Sequence, residues 1–304
     1  MTPERKPGRL GIGVIGAGKV GAVLGAALRA AGHAVVGVSA VSDASRERAD
    51  VLLPGVPVLE IPEVVERAEL VLLAVPDDVL PELVEGLARL GAWQPGQLLA
   101  HTSGRHGLGA LAPATAAGAI GLAIHPAMTF TGMSLDLSRL IDCCFGVTAP
   151  TPMLPIAQAL VVEMGGEPVV IKDADRPLYH LALAHASNHL VTITSQAAQI
   201  LTSMGVEAPD RLLGPLQRAS LENALASGEA ALTGPVARGD VGTIEEHQQA
   251  LVRYEVNGGS ADIPTAYRQL ARATAIRALA RGLLTDVQVA RILEILATDP
   301  EGTP

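Results

Sequence analysis

The sequence contains few aromatic residues and few cysteines. Phenylalanine, tyrosine and tryptophan make up 2% of its 304 residues, so a buried core must consist mainly of alanine, valine, leucine and isoleucine. The two cysteines, Cys143 and Cys144, are neighbours within an apolar stretch. Two adjacent cysteines form neither a disulfide framework nor a metal-ligand pattern, and we expect both to be buried in a reduced protein.

Lysine is also rare, since Lys6, Lys19 and Lys172 are the only lysines among 22 basic residues. A mechanism that requires a lysine beyond residue 172 is therefore excluded. The net charge is −9 and no block of basic residues occurs, which argues against nucleic acid as a partner.

Long apolar runs are absent as well. Although 49% of the residues are apolar, no run reaches the roughly 18 residues that a membrane-spanning helix needs. The start of the chain is polar and gives no targeting signal. We therefore expect a soluble, cytoplasmic protein with no membrane partner, long enough for one large or two ordinary domains.

What the sequence does have is a set of regularly spaced glycines near its start. Residues 10–15 form an apolar run, Gly16-Ala17-Gly18-Lys19-Val20-Gly21 follows, and residues 22–28 continue with the apolar spacing of a helix. A strand, a glycine-rich turn and a helix in this order form the dinucleotide-binding fingerprint. Gly16 allows the sharp turn, Gly18 lets a pyrophosphate approach the backbone, and Gly21 lets the helix pack on the strand.

We predict that a dinucleotide binds at this loop, with its phosphates at the helix N-terminus. The predicted contacts are Gly16, Gly18, Lys19, Val20 and Gly21. A tight turn without a ligand is the alternative, because a chain with 32 glycines contains chance matches to this spacing.

The end of the second predicted strand bears on the choice of cofactor. NAD enzymes place an acidic residue there, about 20 residues past the glycines, to bind the ribose hydroxyls. This sequence has Ser39 and Ser42 instead, followed by Arg46 and Arg48. We expect Ser39, Ser42 and Arg46 to bind the cofactor and favour NADP over NAD, although Asp43 lies nearby and the stretch could simply begin a solvated helix.

The third predicted strand ends at the edge where ligands of such sheets bind. Residues 69–75 are almost wholly apolar, as expected for a parallel strand covered on both faces. The residues at and after its end, Ala74, Val75 and Pro76, are therefore predicted cofactor contacts.

Two later strands end in polar residues at the same edge. Residues 97–100 lead into a loop with Ser103, whose hydroxyl we expect near the ribose of the cofactor or near the substrate. Residues 119–124 lead into His125. His125 either contacts the substrate or only closes its loop. The other predicted strands are 34–39, 56–59, 143–148 and 168–171, and helices are predicted over 61–68, 80–90 and 152–164.

The pattern changes in the second half. Residues 173–204 contain no glycine, and their only proline lies in the first turn, so they predict one helix of about 30 residues. Shorter helices are predicted over residues 209–226, 240–256, 262–281 and 285–297. The predicted fold is α/β, with a parallel-sheet domain over 9–172 and an all-helical domain over 173–298. We expect the tails, 1–8 and 299–304, to be disordered.

Six motifs carry a resemblance to a known superfamily. They are GVIGAGKVG at 13–21, AVPDDVL at 74–80, HTSG at 101–104, HPAMTF at 125–130, YHLALAHASNHL at 179–190 and TGPVARGD at 233–240. On these motifs the chain resembles the superfamily of 6-phosphogluconate dehydrogenase, ketopantoate reductase and pyrroline-5-carboxylate reductase. It is most similar to a bacterial branch in which a Rossmann-like domain is fused to a domain of unknown function. The resemblance implies an N-terminal Rossmann domain and a C-terminal helical domain like that of 6-phosphogluconate dehydrogenase.

The resemblance also implies roles for residues of the long helix. Ketopantoate reductases carry Lys-x3-Asn-x3-Asn on one face of this helix, where the lysine donates a proton and the asparagines orient the substrate. Aligned on Asn188, the lysine position falls on His180 and the first asparagine position on Ala184. The usual lysine is therefore missing. Histidine, with an ordinary pKa of about 6.5, can donate a proton near neutral pH.

Each of these residues has a structural alternative. His180 could cap or pack the start of its helix. We expect Asn188 to be buried on an apolar helix, where a substrate or a polar loop must satisfy its amide. In the helical domain, Arg238 could hold a substrate carboxylate in a forked contact, and the nearby Asp240 could cap a helix. No metal-ligand spacing occurs, so we expect no metal site.

These residues together predict an NADP-dependent reductase that transfers hydride to a small, anionic carbonyl or imine substrate. Related branches imply a 2-oxo acid such as ketopantoate. The predicted catalytic residues are His180, Asn188, His125 and Arg238. The alternatives are a non-catalytic NADP-binding regulatory or scaffold protein and an NADP reductase linked to a deazaflavin. A long helix rich in alanine and leucine, with few aromatics to seal its domain, also predicts a homodimer.

Overall fold

The computed structural model describes residues 9–297, and the chain divides into two compact units. The first unit ends at Ala186 and the second begins at Ser187. The tails that were expected to be disordered, 1–8 and 299–304, lie outside the described residues.

The first unit is built on one seven-stranded sheet. Its strands are β1 (Gly11–Ile15), β2 (Ala34–Ser39), β3 (Leu70–Leu73), β4 (Leu98–His101), β5 (Ile120–Pro126), β6 (Cys144–Thr148) and β7 (Glu167–Val170). They lie side by side in the order β2-β1-β3-β4-β5-β6-β7. All neighbours are parallel except β5 and β6, which are antiparallel. The predicted parallel sheet is confirmed, with this one reversal.

Helices cover both faces of this sheet. They are α1 (Lys19–Ala30), α2 (Asp43–Leu52), α3 (Ile61–Arg67), α4 (Leu80–Arg89), α5 (Ala112–Ala116), α6 (Leu135–Arg139) and α7 (Leu154–Glu163). Strand β3 shows why its sequence is wholly apolar. Leu70 and Leu72 pack in one hydrophobic cluster with α1 and α7, whereas Val71 and Leu73 pack in another with α3 and α4. Successive strand residues face opposite sides, so a strand covered on both faces needs apolar residues throughout.

The remaining elements are helical, as predicted. They are α8 (Arg176–Ser203), α9 (Pro209–Ser227), α10 (Pro235–Arg238), α11 (Val241–Val256), α12 (Asp262–Ala280) and α13 (Asp286–Ala297). The first unit ends within the 28-residue α8, and the second contains its remainder. The core of the second unit lies among α10 to α13, around Ile244, Ala275 and Ile292. By contrast, none of the 19 residues of α9 is buried.

Two predictions about the first unit are wrong. Residues 56–59 do not form a strand, because only Val58 pairs, in a single bridge with Val38. Cys143 is buried but Cys144 is exposed. Neighbouring residues of an extended chain face opposite sides, so only one of the two cysteines can face the core.

Candidate functional site

The glycine-rich loop between β1 and α1 packs against the end of β3. Gly16 has a φ of +93°, and a Cβ atom at this position would lie 2.6 Å from the carbonyl oxygen of Ala74. A Cβ atom at Gly21 would collide with the carbonyl oxygen of Gly16 and lie 2.9 Å from the Ala74 side chain. Both positions therefore require glycine. The contact lies at the carboxyl ends of β1 and β3. Strand β2 lies on one side of β1 and β3 on the other, and sheets of this kind bind ligands at the point where the strand order reverses.

Gly18 and the first turn of α1 leave an open cradle at this loop. Gly18 is the N-cap of α1, and no side chain of the described residues caps the helix there. A Cβ atom at Gly18 would meet no atom within 4 Å. The unpaired N–H groups and the positive dipole of a helix N-terminus attract phosphate. The residues present therefore fit the pyrophosphate of a dinucleotide.

The other predicted cofactor residues near the cradle differ in exposure. Lys19 is exposed, and Val20 packs partly against the core. Ala74 and Val75 are half-buried at the end of β3, and Pro76 is exposed. All five lie at the carboxyl edge of the sheet, as the sequence predicts.

The two serines at the end of β2 both accept hydrogen bonds from the backbone. Ser39 is buried, and its hydroxyl accepts a hydrogen bond from the Gly16 N–H at 3.0 Å. Ser42 caps α2 by accepting a backbone N–H of its first turn at 3.2 Å. Arg46 is exposed, and its Nε donates to the Ala40 carbonyl oxygen at 3.3 Å. Ser39 therefore holds the glycine loop in place, while the charge of Arg46 stays accessible.

A second basic group lies beside the glycine loop. Arg48 donates to the carbonyl oxygen of Ala17 at 3.5 Å. Gly132, with a φ of +82°, comes so close that a Cβ atom there would lie 2.6 Å from Arg48 Nε and 3.0 Å from Lys19 Cγ. The buried Asp136 holds this turn by accepting the Gly132 N–H at 2.7 Å. Sequence reasoning missed Gly132, because the contact joins segments that are far apart in the chain.

The ends of β4 and β5 and the start of α8 bring two histidines together in the first unit. The ring centroids of His125 and His180 lie 6.3 Å apart, with an interplanar angle of 88°. Gly104 lies against both rings, since a Cβ atom there would lie 2.9 Å from His125 Nε2 and 2.7 Å from His180 Cδ2. The absence of a side chain at Gly104 therefore allows the two imidazoles to converge.

Tyr179, which sequence reasoning missed, contacts the first of these histidines. Its hydroxyl lies 2.9 Å from His125 Nδ1, and the two rings meet edge to face. Gly146 pairs with His125 in the sheet and leaves room for the phenol, because a Cβ atom there would lie 2.6 Å from Tyr179 Oη. One signal could have found this residue: it is one of only three tyrosines and directly precedes His180.

A buried arginine links the strands around this cluster. Arg176 is fully buried and donates to Thr148 Oγ1 and to the carbonyl oxygen of Ser103, both at 2.9 Å. The Ser103 hydroxyl accepts the His106 N–H at 3.1 Å. Ser103 is itself buried, so both of its oxygens serve contacts within the protein.

The pKa values of two histidines in this region are lowered. Burial, followed by the charges of Arg176 and His180, lowers the pKa of His125 from 6.5 to about 4, although Asp77 opposes this effect. Burial and Arg176 also lower the pKa of the fully buried His101 to about 3. Both imidazoles are therefore neutral at pH 7.

The predicted site residues of the second unit, Asn188 and Arg238, are both exposed. The expectation of a buried Asn188 amide is wrong, because this part of α8 leaves most of its side chains exposed. Arg238 ends α10 immediately before Gly239, which has a φ of +71°. Asp240 caps α11, as predicted, by accepting the Thr243 N–H at 3.2 Å.

Metal-ligand clusters and membrane-spanning helices are both missing from the described residues. Across residues 9–297, no three histidine, cysteine, aspartate or glutamate side chains lie together in a way that could hold a metal ion. Over the same stretch, no helix combines the length and the apolar character needed to cross a membrane.

Both halves of the chain match known domain families. Residues 2–126 match the Rossmann-like domain, and residues 143–274 match a domain of unknown function, DUF2520. The resemblance to a Rossmann-like domain fused to a domain of unknown function is therefore confirmed. No curated protein matches the chain.

Several solved structures share the fold. A provisionally named NADP oxidoreductase from Bacteroides fragilis is 21% identical, with a TM-score of 0.72 over 88% of this chain and 98% of its own. A reductive aminase from Aspergillus terreus in complex with NADPH and ethyl-5-oxohexanoate is 18% identical, with a TM-score of 0.66 over 94% and 99% of the two chains. An imine reductase variant from Myxococcus stipitatus in complex with NAD⁺ is 18% identical, with a TM-score of 0.55 over 94% and 100%. At these identities the likeness establishes the fold.

Proposed function

We propose that this chain, in which a Rossmann-like domain precedes a DUF2520 domain, is a nicotinamide-dependent reductase that acts on a carbonyl or imine group. The observation that carries the proposal is the meeting of His125 and His180 at Gly104, in the same unit as the open glycine cradle. The shared fold with a reductive aminase that binds NADPH and an imine reductase that binds NAD⁺ supports the same class of reaction.

The glycine cradle would hold the pyrophosphate, and a reduced nicotinamide bound to this unit would supply the hydride. We propose NADP as the cofactor in preference to NAD. The end of β2 has Ser39 where NAD enzymes place a carboxylate. Arg46 and Arg48 follow this position in the chain, and Arg48 and the exposed Lys19 both contact Gly132. Positively charged groups of this kind attract a 2′-phosphate.

His180 would donate the proton that the substrate oxygen or nitrogen takes up when its carbon is reduced. The ring is half-buried, and its nitrogens have no hydrogen-bond partner within residues 9–297, so a ligand can reach them. A positioned histidine acid contributes roughly 100- to 10,000-fold to a rate. The proton that His180 gives up returns from water.

Two of the predicted substrate contacts belong to the second unit, and both are exposed. We propose that Asn188 orients the substrate and that Arg238 binds its carboxylate in a forked contact. A 2-oxo acid such as ketopantoate has both the carbonyl group and the carboxylate that these roles require.

A homodimer through α8 and α9 is also part of the proposal. Thr194 and Gln217 join the two helices by a hydrogen bond of 2.9 Å, yet no residue of α9 is buried. Four of the five leucines of α9 are 50–79% exposed, and they are Leu212, Leu216, Leu221 and Leu225. A second copy that covers this surface would stabilise it by about 25 cal/mol per Å² of apolar area. Light scattering should give twice the mass of one chain, and the mass of a single chain would contradict the dimer.

The reductase proposal is tested by NADPH oxidation at 340 nm with a panel of 2-oxo acids, including ketopantoate, and of cyclic imines. Turnover with NADPH that is faster than with NADH is the expected result. If NADPH binds but no member of the panel is reduced, a regulatory or scaffold role replaces the reductase. Turnover that requires a deazaflavin would favour the deazaflavin-linked alternative.

A further inference from the structure

We infer that Tyr179 fixes the tautomer of His125, so that His125 presents an N–H at Nε2 to the substrate oxygen or nitrogen while His180 supplies the proton. The catalytic use of this tautomer rests on the proposed function, whereas the tautomer itself is a property of the free protein. Tyr179 is then a positioning residue, and the two histidines have different roles. One is a neutral hydrogen-bond donor, and the other is the acid.

The hydrogen bond between Tyr179 and His125 runs from the phenol to the imidazole. Burial raises the pKa of Tyr179, although Arg176 and the Gly146 amide oppose this effect, so the phenol keeps its proton at pH 7. In the described part of the chain, His125 Nδ1 at 2.9 Å is the only acceptor within hydrogen-bonding distance of this hydroxyl. A neutral imidazole whose Nδ1 accepts a hydrogen bond carries its own proton on Nε2.

The charges around His125 keep its ring neutral. Burial, Arg176 and His180 all disfavour an imidazolium, and Asp77 is the carboxylate that opposes them. Asp77 is itself paired with Arg105, whose Nε lies 3.3 Å from the carboxylate. A doubly protonated ring would also carry a proton on Nδ1 and would displace the phenol from its role as donor. A neutral imidazole can polarise a carbonyl group without giving up a proton.

The Nε2 edge of His125 packs against Gly104, beside the ring of His180. A Cβ atom at Gly104 would lie 2.9 Å from this nitrogen and 2.7 Å from His180 Cδ2. Within residues 9–297, Nε2 has no protein partner, and it is not among the buried polar atoms that lack one, so it is open to solvent. A substrate atom hydrogen-bonded to Nε2 would lie close to His180, whose ring centroid is 6.3 Å from that of His125. Only His125 has a phenol on its other nitrogen, which is why the two rings differ in role.

The tautomer is measured by ¹⁵N NMR of the histidine side chains in the labelled full chain, without cofactor or substrate. The expected spectrum shows His125 neutral at pH 7 with its proton on Nε2. The His125→Gln variant identifies these signals by removing them. Tyr179→Phe should convert His125 to a mixture of tautomers, with altered shifts at both nitrogens.

Tyr267→Phe is the matched control, because Tyr267 makes the same contact with His247 Nδ1 at 2.8 Å in the second unit. This variant should leave the His125 signals unchanged. A proton on Nδ1 of His125 in the wild-type chain would overturn the inference. A charged ring at pH 7, or an unchanged tautomer in Tyr179→Phe, would do the same.

Turnover gives a second readout once a substrate is found. Tyr179→Phe should lower kcat about 10-fold, the value of one weakened hydrogen bond in the transition state, with little change in KM. Tyr267→Phe should not change kcat, and an equal loss in both variants would contradict a positioning role. If no substrate is reduced, the proposed function fails while the NMR result still decides the tautomer. If turnover is found but His125 carries its proton on Nδ1, the tautomer alone is wrong.

Discussion

Two histidine–tyrosine pairs occur among the described residues, one in each unit, and their local geometry is nearly the same. The hydroxyl of Tyr179 lies 2.9 Å from His125 Nδ1, and that of Tyr267 lies 2.8 Å from His247 Nδ1. The ring centroids are 5.6 and 5.7 Å apart, and both pairs meet edge to face. Burial raises the pKa of both tyrosines.

The surroundings of the two pairs differ. His125 lies near the fully buried Arg176 and a second histidine, and its Nε2 has no protein partner within residues 9–297. His247 instead interacts with the carboxylate of Asp240, which caps α11, and its tyrosine packs against the hydrophobic core of the second unit. The geometry of the histidine–tyrosine hydrogen bond therefore does not by itself mark a candidate site. A buried cation and a second imidazole distinguish the first pair from the second, which joins α11 to α12.

Of the substitutions considered, a methyl group added at Gly104 should lower the rate of NADPH oxidation most. In Gly104→Ala the new Cβ atom would lie 2.7 Å from His180 and 2.9 Å from His125, so at least one ring must move. Misplacement of reacting groups by about 1 Å can cost about 100-fold in rate, and we expect at least that loss in kcat/KM for NADPH oxidation. NADPH binding should persist.

Gly242→Ala is the control for this substitution. Gly242 lies on α11, the helix that carries His247, and the nearest atom to its added Cβ is 3.9 Å away. The substitution should leave the rate unchanged and raise helix stability by up to about 1 kcal/mol. A Gly104→Ala enzyme as active as the control would contradict the assignment of the site.

Replacing His180, the proposed acid, should lower kcat by a factor comparable to that of Gly104→Ala. Replacing the histidine of the second pair should not. His180→Gln should lower kcat about 100-fold, because a glutamine cannot deliver a proton. His247→Gln should retain kcat and lose only the stability of one hydrogen bond, about 1 kcal/mol. Steady-state kinetics and urea unfolding measure the two effects. Equal kcat values in the two variants would remove His180 from the role of proton donor.

Because the pKa of His125 is lowered, we expect the free energy of unfolding of the first unit to depend on pH. Between pH 6.5 and 4 the unfolded chain binds a proton at this histidine that the folded chain does not, so the free energy of unfolding falls as the pH falls. A pKa lowered from 6.5 to about 4 corresponds to a loss of up to about 3 kcal/mol across this window. His101 acts in the same direction.

Urea unfolding at pH 7, 6 and 5 measures this dependence. His125→Gln should flatten the decline, whereas Tyr267→Phe, in the other pair, should keep it. A decline of the same slope in His125→Gln and in the wild-type chain would show that His125 is not held neutral.

The smallest effect is expected for the second tyrosine. Tyr267→Phe removes one hydrogen bond between α11 and α12 and should lower the free energy of unfolding by about 1 kcal/mol. It should not change kcat or the cofactor affinity. A drop in kcat would mean that the second pair also serves the reaction.

Most of the fold follows from local sequence pattern. The spacing of glycines at residues 16–21 and the apolar runs of the strands predict elements that lie within a few residues of the observed ones. The reversal of β6 and the exposure of Cys144 depend instead on how strands pair, which no short stretch specifies. The domain boundary near residue 172 stays a prediction.

The candidate site could be predicted only in part. His125 follows from the end of a strand, and His180 follows from a resemblance on the long helix. The contacts of Gly104 and Tyr179 were missed, because they form where β4, β5, β6 and α8 meet. For Ser39, the sequence locates the residue beside the glycine loop but does not reveal what its hydroxyl contacts. It lies where a cofactor contact is predicted, but its buried hydroxyl binds the nearest N–H of the glycine loop.

The central claim is tested most directly by deuterium transfer from NADPH that carries deuterium at both C4 positions. The wild-type chain should place one deuterium on the former carbonyl or imine carbon of an accepted substrate, as mass spectrometry would detect. His180→Gln should still bind NADPH but transfer deuterium about 100-fold more slowly. NADPH bound by the wild-type chain, with no deuterium in any 2-oxo acid or cyclic imine of the panel, would contradict a reductase site at His125 and His180.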